Sequence, residues 1–463
     1  MIREVTLMKI VVLNGSPKGD ISVTMQYVAY LKKKFPEHSF ETVNVAHEIE
    51  KIEKDSVCFA AILDRIRSAD LVLWAFPLYY LLVCAQYKRF IELVFERGAQ
   101  DAFAGKYAAS LSTSIHYADM IAHDYIHAVS DDLGMKYLGA YSAEMHDLLD
   151  AGERERLVTF AALTFAGVEK MIPVQRETSP LVPPSLAYVP GNGQAAVQPG
   201  KKKVVILTDD DGSSNNLTAM VARLTAAFSA KAEVINLHDI DIKGPCLGCC
   251  RCAYDNTCVY TDGYVDFYRD RLATADILIF AGAVRDRYLS SKWKQFFDRS
   301  FFKGHTPGLG GKQIGFAIAG SLNQIPCLKE ALVMWADSGR CTARFVTDEA
   351  ATSGELDALL DAMAGRLVQG AEVGYTPPHL FYAVGGHKIF RDNIYGGMRF
   401  VFQADYRYYR EHKMFDFPQS DLKTRLTNAV MMLLTKSKTV REKVYGDSRH
   451  HMIAPFAPVL RDD

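Results

Sequence analysis

The chain has 463 residues, 49% of them hydrophobic and 23% charged, with a formal net charge of −1. That describes a globular protein long enough for about three domains, and the near-neutral charge excludes a global field drawing it to nucleic acid or an anionic membrane. No run of 18 apolar residues occurs and MIREVTLMKIVVLNG carries no apolar segment with a cleavage site, so neither a transmembrane segment nor a signal peptide is expected, and the default setting is cytoplasmic and reducing.

KIVVLNG (9–15) reads as a buried strand, SPKGDIS as a turn and VTMQYVAYLKKKF as a helix. A strand near 40–45, a helix at about 57–68 and ADLVLWAFPLYY, a strand running into a loop, follow. LLVCAQYKRFIELVF has the apolar spacing of an amphipathic helix, KYAASLSTS (106–114) is a further strand and 117–133 a further helix. The second half repeats this order. KKVVILTDD (202–210) is a strand, SSNNLTAMVARLTAAF a helix and AEVINL (232–237) a strand. ADILIFAGA (275–283), SSKWKQFFDRSFF (290–302) and GKQIGFAIAG (311–320) match ADLVLWAFP (69–77), AQYKRFIELVF (85–95) and GKYAASLSTS (105–114) in order. Strands alternating with helices imply βαβ units, so the expected fold is α/β: two tandem doubly wound parallel-sheet domains.

The domains are expected at 1–175 and 202–375, joined by a linker, 176–201, and followed by a tail, 376–463. The stretch 176–202 has five prolines and three glycines without periodicity, as an exposed linker does. Its GNGQAA (191–196) has the form GxGxxA but lacks the flanking strand and helix of a nucleotide-binding turn.

Three loops of the first domain rise on one sheet edge, where doubly wound folds bind ligands. LNGSPKGDISVT (13–24) offers a helix N-terminus, the hydroxyls of Ser16, Ser22 and Thr24, and Gly15 for close backbone approach, which suits a phosphate. An ordinary serine-rich turn reads the same way. FPLYY (76–80) offers Tyr79, Tyr80 and backbone as one wall for a flat aromatic ligand, and STSIHY (112–117) offers Ser112, Thr113, Ser114, His116 and Tyr117 as the other. Taken singly, Tyr80 and Tyr117 read equally as packing residues and His116 as a helix cap.

Together these motifs resemble the NADPH-dependent FMN reductase and flavodoxin-like family, over roughly 8–170 and 202–370. The resemblance implies that Ser16, Pro17, Lys18, Ser22, Val23 and Thr24 hold the FMN phosphate, and that Pro77, Leu78, Tyr79 and Tyr80 lie against the flavin ring. It also implies NAD(P)H as electron donor, stacking on the open flavin face. Gly19-Asp20-Ile21 departs from the family's usual basic-Ser-Asn form and places a carboxylate near a dianion.

Five of nine cysteines fall in GPCLGCCRCAYDNTC (244–258). Cys246, Cys249, Cys252 and Cys258 form a tight motif of the kind that holds one iron–sulfur cube, whereas structural zinc prefers two separated pairs. Zinc and free thiols remain alternatives. The spacing resembles iron–sulfur flavoproteins, a branch of the same family. That resemblance implies a [4Fe–4S] cluster on these four residues, with Cys250 spare. Cys58, Cys84, Cys327 and Cys341 are isolated and expected in the core.

The second domain's matching phosphate loop, TDDDGSSNN (208–216), sets Asp209, Asp210 and Asp211 where a dianion would sit, so FMN is expected to bind there weakly or not at all. Arg285 and Arg287, in the loop matching FPLYY, are the groups that could still draw an anion. Relatives of this kind form dimers with each cluster near a flavin across the interface. A fused pair could therefore keep one flavin and one cluster, provided the cysteine loop lies near the 16–24 and 77–80 loops.

The tail holds 14 lysines and arginines against nine acids and is rich in aromatics; LTNAVMMLLTKSKTVREKV (426–444) has amphipathic spacing. It reads as helices packed over the domains, with peripheral membrane or partner contact the alternative. Three functions follow: a flavin- and cluster-dependent electron-transfer oxidoreductase, a cluster-free FMN or quinone reductase with thiol or zinc cysteines, or a non-enzymatic redox sensor or scaffold. Partners would be small-molecule or protein electron donors and acceptors, or a second copy, and not nucleic acid.

Overall fold

The computed structural model describes residues 7–192, 197–306, 308–417, 421–446, 452–457 and 460, so most of the Gly-Asn-Gly-Gln-Ala-Ala stretch lies outside the described residues. Contacts divide the chain into two units, Met1–Tyr406 and Arg407–Asp463.

In the first half, β1 (Lys9–Asn14), β2 (Ser39–Val43), β3 (Leu71–Pro77), β4 (Tyr107–Ser114) and β5 (Lys136–Glu144) form one parallel sheet, ordered β2-β1-β3-β4-β5. The crossovers use α1 (Val23–Lys34), α2 (Ile49–Lys54), α3 (Ser56–Arg67), α4 (Ala85–Glu96) and α5 (Asp119–Asp132), and α6 (Ala151–Glu169) follows β5. In the second half, β6 (Val204–Thr208), β7 (Glu233–Asn236), β8 (Ile277–Arg285), β10 (Gln313–Ala319) and β11 (Arg344–Thr347) pair in parallel as β7-β6-β8-β10-β11, with β9 (Tyr288–Leu289) folding back antiparallel onto β8. Its helices are α7 (Asn215–Ala227), a single turn α8 (Tyr264–Phe267), α9 (Ser291–Arg299), α10 (Pro326–Ser338) and α11 (Ser353–Glu372). Counted within each half, both sheets run 2-1-3-4-5, the flavodoxin-like order. The inner strands are continuous apolar runs because helices cover both faces; Val12, Val72, Trp74, Ile279 and Phe316 are fully buried.

The helices α4 and α9, read from the sequence as one element repeated, pack against each other and join the halves. The Ala85 N–H opening α4 donates to the Asp298 carboxylate on α9 (2.8 Å), and the Ser291 N–H opening α9 donates to Glu92 on α4 (2.5 Å). Lys88 donates to Glu92 (3.2 Å) and to the Arg285 carbonyl (3.1 Å). Lys294 donates to Asp298 and, at 2.7 Å, to the Tyr79 carbonyl. All four charged side chains are buried. Each half thus gives the other the same contacts it receives, as in a two-fold dimer, but within one chain.

Two segments outside the sheets make particular contacts. The stretch 176–201 has no helix or strand among its described residues, yet it is strapped down: the Val182 N–H donates to Gln324 (2.9 Å), and buried Tyr188 donates to Asp357 on α11 (2.5 Å). The start of the stretch after 376 packs on the second domain. The helix α12 (Phe381–Tyr395) belongs to the first unit, because the Leu380 and Ala383 N–H groups both donate to the buried Asp337 carboxylate of α10 (2.9 Å each). It is followed by α13 (Gln403–Glu411), and the second unit carries α14 (Leu422–Leu434) and α15 (Lys438–Gly446), neither with a buried residue. The single 426–444 helix is therefore two.

Candidate functional site

In the first domain the β1–α1 loop curls over the helix N-terminus. Ser16 and Ser22 are buried, each accepting a backbone N–H, from Lys18 (3.2 Å) and Met25 (3.3 Å). Their lone pairs shape the loop while their hydroxyl protons stay available to an acceptor, as a phosphate requires. Ser22 is the N-cap of α1, beside the positive end of that helix. Thr24 shares a hydrogen bond with Thr113 (2.7 Å), tying this loop to the one after β4. Pro17 is buried and Lys18, Val23 and Asp20 are exposed; the Asp20 carboxylate lies 3.5 Å from the Asn44 amide. Gly15 is also required by packing: a Cβ there would lie 2.7 Å from the Tyr87 ring and 2.9 Å from Phe76.

The loop after β3 turns back sharply. Tyr79 and Leu82 exchange backbone hydrogen bonds (2.8 and 3.0 Å), and Tyr80 and Leu81 sit at φ 42° and 71°. Pro77 and Leu78 are half-buried, and the Leu78 N–H donates to the Thr113 carbonyl (3.1 Å). Tyr80 hydrogen-bonds Trp335 on α10, and burial pushes its phenol up to about 12. In the loop after β4, His116 and Ala118 also have positive φ, 57° and 64°. Such backbone costs about 1–3 kcal/mol per residue and collects at ligand sites.

The expected β4 wall is only partly a wall. Ser112 is buried and bonds His123 Nε2 (2.8 Å), while Ser110 bonds Nδ1 of the same ring (2.7 Å), so the Ser112 hydroxyl is held by α5. Burial lowers the His123 imidazole to about 4, which keeps it neutral. Ser114 accepts the His116 N–H (2.9 Å), and the exposed His116 ring pairs with Asp119 (3.0 Å). Tyr117 packs edge-on to Phe390 of α12 (5.5 Å between ring centres), and a Cβ on Gly386 would meet it at 2.8 Å.

The cysteine loop of the second domain lies directly on this edge. Gly248, at φ 61°, sits so close to Tyr79 that a Cβ there would lie 1.6 Å from the phenol oxygen. The Gln86 side-chain amide donates to the Cys246 carbonyl (3.0 Å). Burial raises the Cys250 thiol, and the charge of Lys18 partly offsets it. Cys246, Cys249, Cys250, Cys252 and Cys258 line one cavity with Asp298 and Arg299. Burial pushes the Cys246 and Cys252 thiols up to about 12, so unligated they are neutral rather than reactive thiolates. Arg299 closes the loop by binding the Gly244 carbonyl (2.8 Å) and both oxygens of Asp262 (2.9 and 2.8 Å), and its buried Nε has no acceptor. A cavity walled by thiols and a buried guanidinium suits an anionic thiolate cluster. Among the described residues, no three of His, Cys, Asp and Glu are arranged around one metal ion. Of the remaining cysteines Cys84 and Cys341 are buried, but Cys58 and Cys327 only half so.

The second domain keeps a cleft of about 330 Å³ at the corresponding place, lined by Ser213, Ser214, Asn216, Arg285 and Gly320 among others. Its three aspartates do not face a common point. Asp209 is buried against Ser290, Asp210 accepts from Thr218 (2.6 Å), and Asp211 pairs with Arg285 (2.6 Å). Arg287 is buried and bound to Asp132 of α5 (2.5 and 2.7 Å), so it clamps the halves together instead of facing the cleft.

With this geometry in view, residues 8–159 match the flavodoxin-like fold family and residues 204–343 the NADPH-dependent FMN reductase family. The chain is two flavodoxin-like domains in tandem. No curated protein matches it. Similar solved structures include an NADH:FMN oxidoreductase, EMOB, in its apo form (18% identity, 36% of this chain and 91% of that one, TM-score 0.30). Others are the flavoenzyme NAD(P)H:(acceptor) oxidoreductase FerB of Paracoccus denitrificans (20% identity, 35% and 98%, TM-score 0.31) and an FMN-dependent NADH-azoreductase of Bacillus anthracis in complex with FMN (16% identity, 36% and 100%, TM-score 0.26).

The sequence reading missed Gln86, Gly248, Lys294, Asp298 and Arg299. The signal for two of them was present: Lys294 and Asp298 occupy the positions in SSKWKQFFDRSFF that Lys88 and Glu92 occupy in AQYKRFIELVF. A charged pair repeated on an otherwise apolar face marks an interface.

Proposed function

We propose that the chain is a flavin-dependent NAD(P)H oxidoreductase in which FMN on the first domain exchanges electrons with a [4Fe–4S] cluster on Cys246, Cys249, Cys252 and Cys258. The family matches of both halves support the flavin chemistry. The observation that carries the cluster partnership is the seat of Gly248 against Tyr79: it sets the four-cysteine loop of one half on the ring loop of the other. When bound, FMN would exchange electrons in pairs or singly and the cluster one at a time, linking a two-electron donor to a one-electron acceptor.

The chain's own residues divide the work. Ser16, Ser22, Thr24 and the first N–H groups of α1 would hold the phosphate, with Pro17, Lys18 and Val23 completing the loop. Pro77, Leu78, Tyr79 and Tyr80 would bound one side of the ring. Thr113, Ser114 and His116 would bound the other, with Ser112 positioned behind them by His123. Arg299 would offset the negative charge of a thiolate cluster. In the second domain the engaged aspartates leave a polar cleft, which we assign no flavin.

The second reading, a cluster-free FMN or quinone reductase with redox-active or zinc-bound cysteines, rests on the same two family matches without the cysteine-loop contact. One experiment separates the two: an absorption spectrum with iron, sulfide, zinc and FMN assays on protein purified without oxygen. About four irons and about one FMN per chain are expected. FMN without iron after anaerobic reconstitution selects the second reading, and loss of both cofactors overturns the proposal. Two FMN per chain would show that the second cleft also takes flavin.

A further inference from the structure

The helices α14 and α15 have no place in this chemistry. On α14, Leu422, Leu426, Val430, Leu433 and Leu434 recur at i, i+4, i+8, i+11 and i+12, which is one face of a helix. In a globular protein that stripe is buried, but here Leu422 is 74% exposed, Leu426 68% and Leu433 65%. Residues 422–446 carry six lysines and arginines and a single acid, Glu442. On α15, Tyr445 is exposed as well.

We propose that α14 and α15 form an interfacial element that seats the protein on an anionic phospholipid surface. Charge selects this occupant. A second copy of the same face would bring basic residues against basic residues. An apolar stripe within a basic element is what a headgroup boundary accepts: the leucines enter the acyl region while Lys423 on α14, Lys436 between the helices and Lys438 and Lys443 on α15 extend their stems and keep their ammonium groups among the phosphates. The element lies in the plane and does not span. At about 1.5 Å per residue its 13 residues reach about 20 Å, against about 30 Å of hydrocarbon. No described helix is long and apolar enough to cross a membrane. The inference is independent of which cofactors the domains hold.

The test is sedimentation of the full-length protein with vesicles of equal parts phosphatidylglycerol and phosphatidylcholine, and with phosphatidylcholine alone. Binding to the anionic vesicles is expected, falling as salt rises. Replacing Lys423, Lys436, Lys438 and Lys443 together by Gln should weaken it roughly fivefold per charge, more than a hundredfold in all. L426D/L433D should abolish it, with far-ultraviolet circular dichroism showing that both variants keep their fold. No binding, or equal binding to both vesicles, overturns the proposal. Binding that needs the lysines but not the leucines overturns it in favour of an acidic protein partner. A vesicle-free self-association lost in L426D/L433D overturns it in favour of a second copy.

Discussion

The two halves share a frame and differ at their edges. The sheet order is the same, α4 and α9 exchange the same contacts, and each helix carries a lysine and a carboxylate four residues apart. At the sheet edge the first half has Pro-Leu-Tyr-Tyr and a serine loop, while the second has a cysteine loop and an aspartate loop. Two-fold packing is usually read as a property of two identical chains. Fusion removes that constraint, so each edge can specialise while the buried frame keeps both in register.

The frame itself is not perfectly balanced, and the largest predicted effect exploits this. Glu92 has Lys88, Arg89 and the Ser291 hydroxyl and N–H around it, whereas Asp298 has Lys294 and one N–H. Lys294→Ala should therefore cost about 3–5 kcal/mol, because it strands a buried carboxylate. Lys88→Ala should cost less, since Arg89 remains. Urea unfolding of both variants measures the difference, and equal losses would mean that Arg89 does not compensate.

Their pH dependence should run in opposite directions. Burial raises the Asp298 carboxyl to about 6 despite Lys294, so the folded state holds that proton more tightly than the unfolded chain, and its contribution to stability declines as pH rises from about 4 to about 6. Burial also pushes Glu92 upward, but Lys88, Ser291 and Arg89 outweigh it and leave it lowered. Its contribution is present above the usual glutamate range and is lost as pH falls through it. Relative to the parent, Asp298→Asn should gain stability as pH rises from about 4 to about 6, whereas Glu92→Gln should lose it as pH rises towards the usual glutamate value from below. Parallel curves would show that the two sites are equivalent.

The seam between the edges gives the next effect. Gly248→Ala forces a side chain into the left-handed region and onto the Tyr79 phenol, at a cost of about 1–3 kcal/mol for the backbone alone. Under the proposed function, flavin and iron contents should both survive while electron transfer between them slows, which rapid-mixing spectroscopy would read. Unchanged transfer would detach the Tyr79–Gly248 contact from function. Cys250→Ala should leave the iron content intact and Cys252→Ala should not, which separates the spare thiol from a ligand.

These asymmetries were unevenly legible in the sequence. The repeat and its strands stood out because each inner strand is a continuous apolar run, and the 16–24 and 77–80 loops because serine, proline and tyrosine cluster after such runs. The fates of Asp209, Asp210, Asp211 and Arg287 did not stand out. A run of aspartates reads as one negative patch, but here Ser290, Thr218 and Arg285 take the three apart. Arg287 is decided by Asp132, 155 residues away, a pairing that no local pattern encodes. The linker at 176–201 is mostly exposed, as its composition suggests, but its hydrogen bonds from Tyr188 and Gly191 to Asp357, far along the chain, had no local signal.

The smallest effect is the sharpest comparison. Ser22 and Ser214 are the N-caps of equivalent helices, accepting from Met25 and Leu217 at 3.3 Å each. As caps they are interchangeable, and replacing either by alanine should cost about 1 kcal/mol in urea unfolding. As ligand groups they are not, if only the first half holds FMN. Ser22→Ala should then also weaken FMN binding severalfold in a fluorescence titration, because the hydroxyl proton offered to the phosphate is lost, and Ser214→Ala should leave it unchanged. Equal weakening by both would place flavin in both clefts, and no weakening by either would reduce Ser22 to a cap.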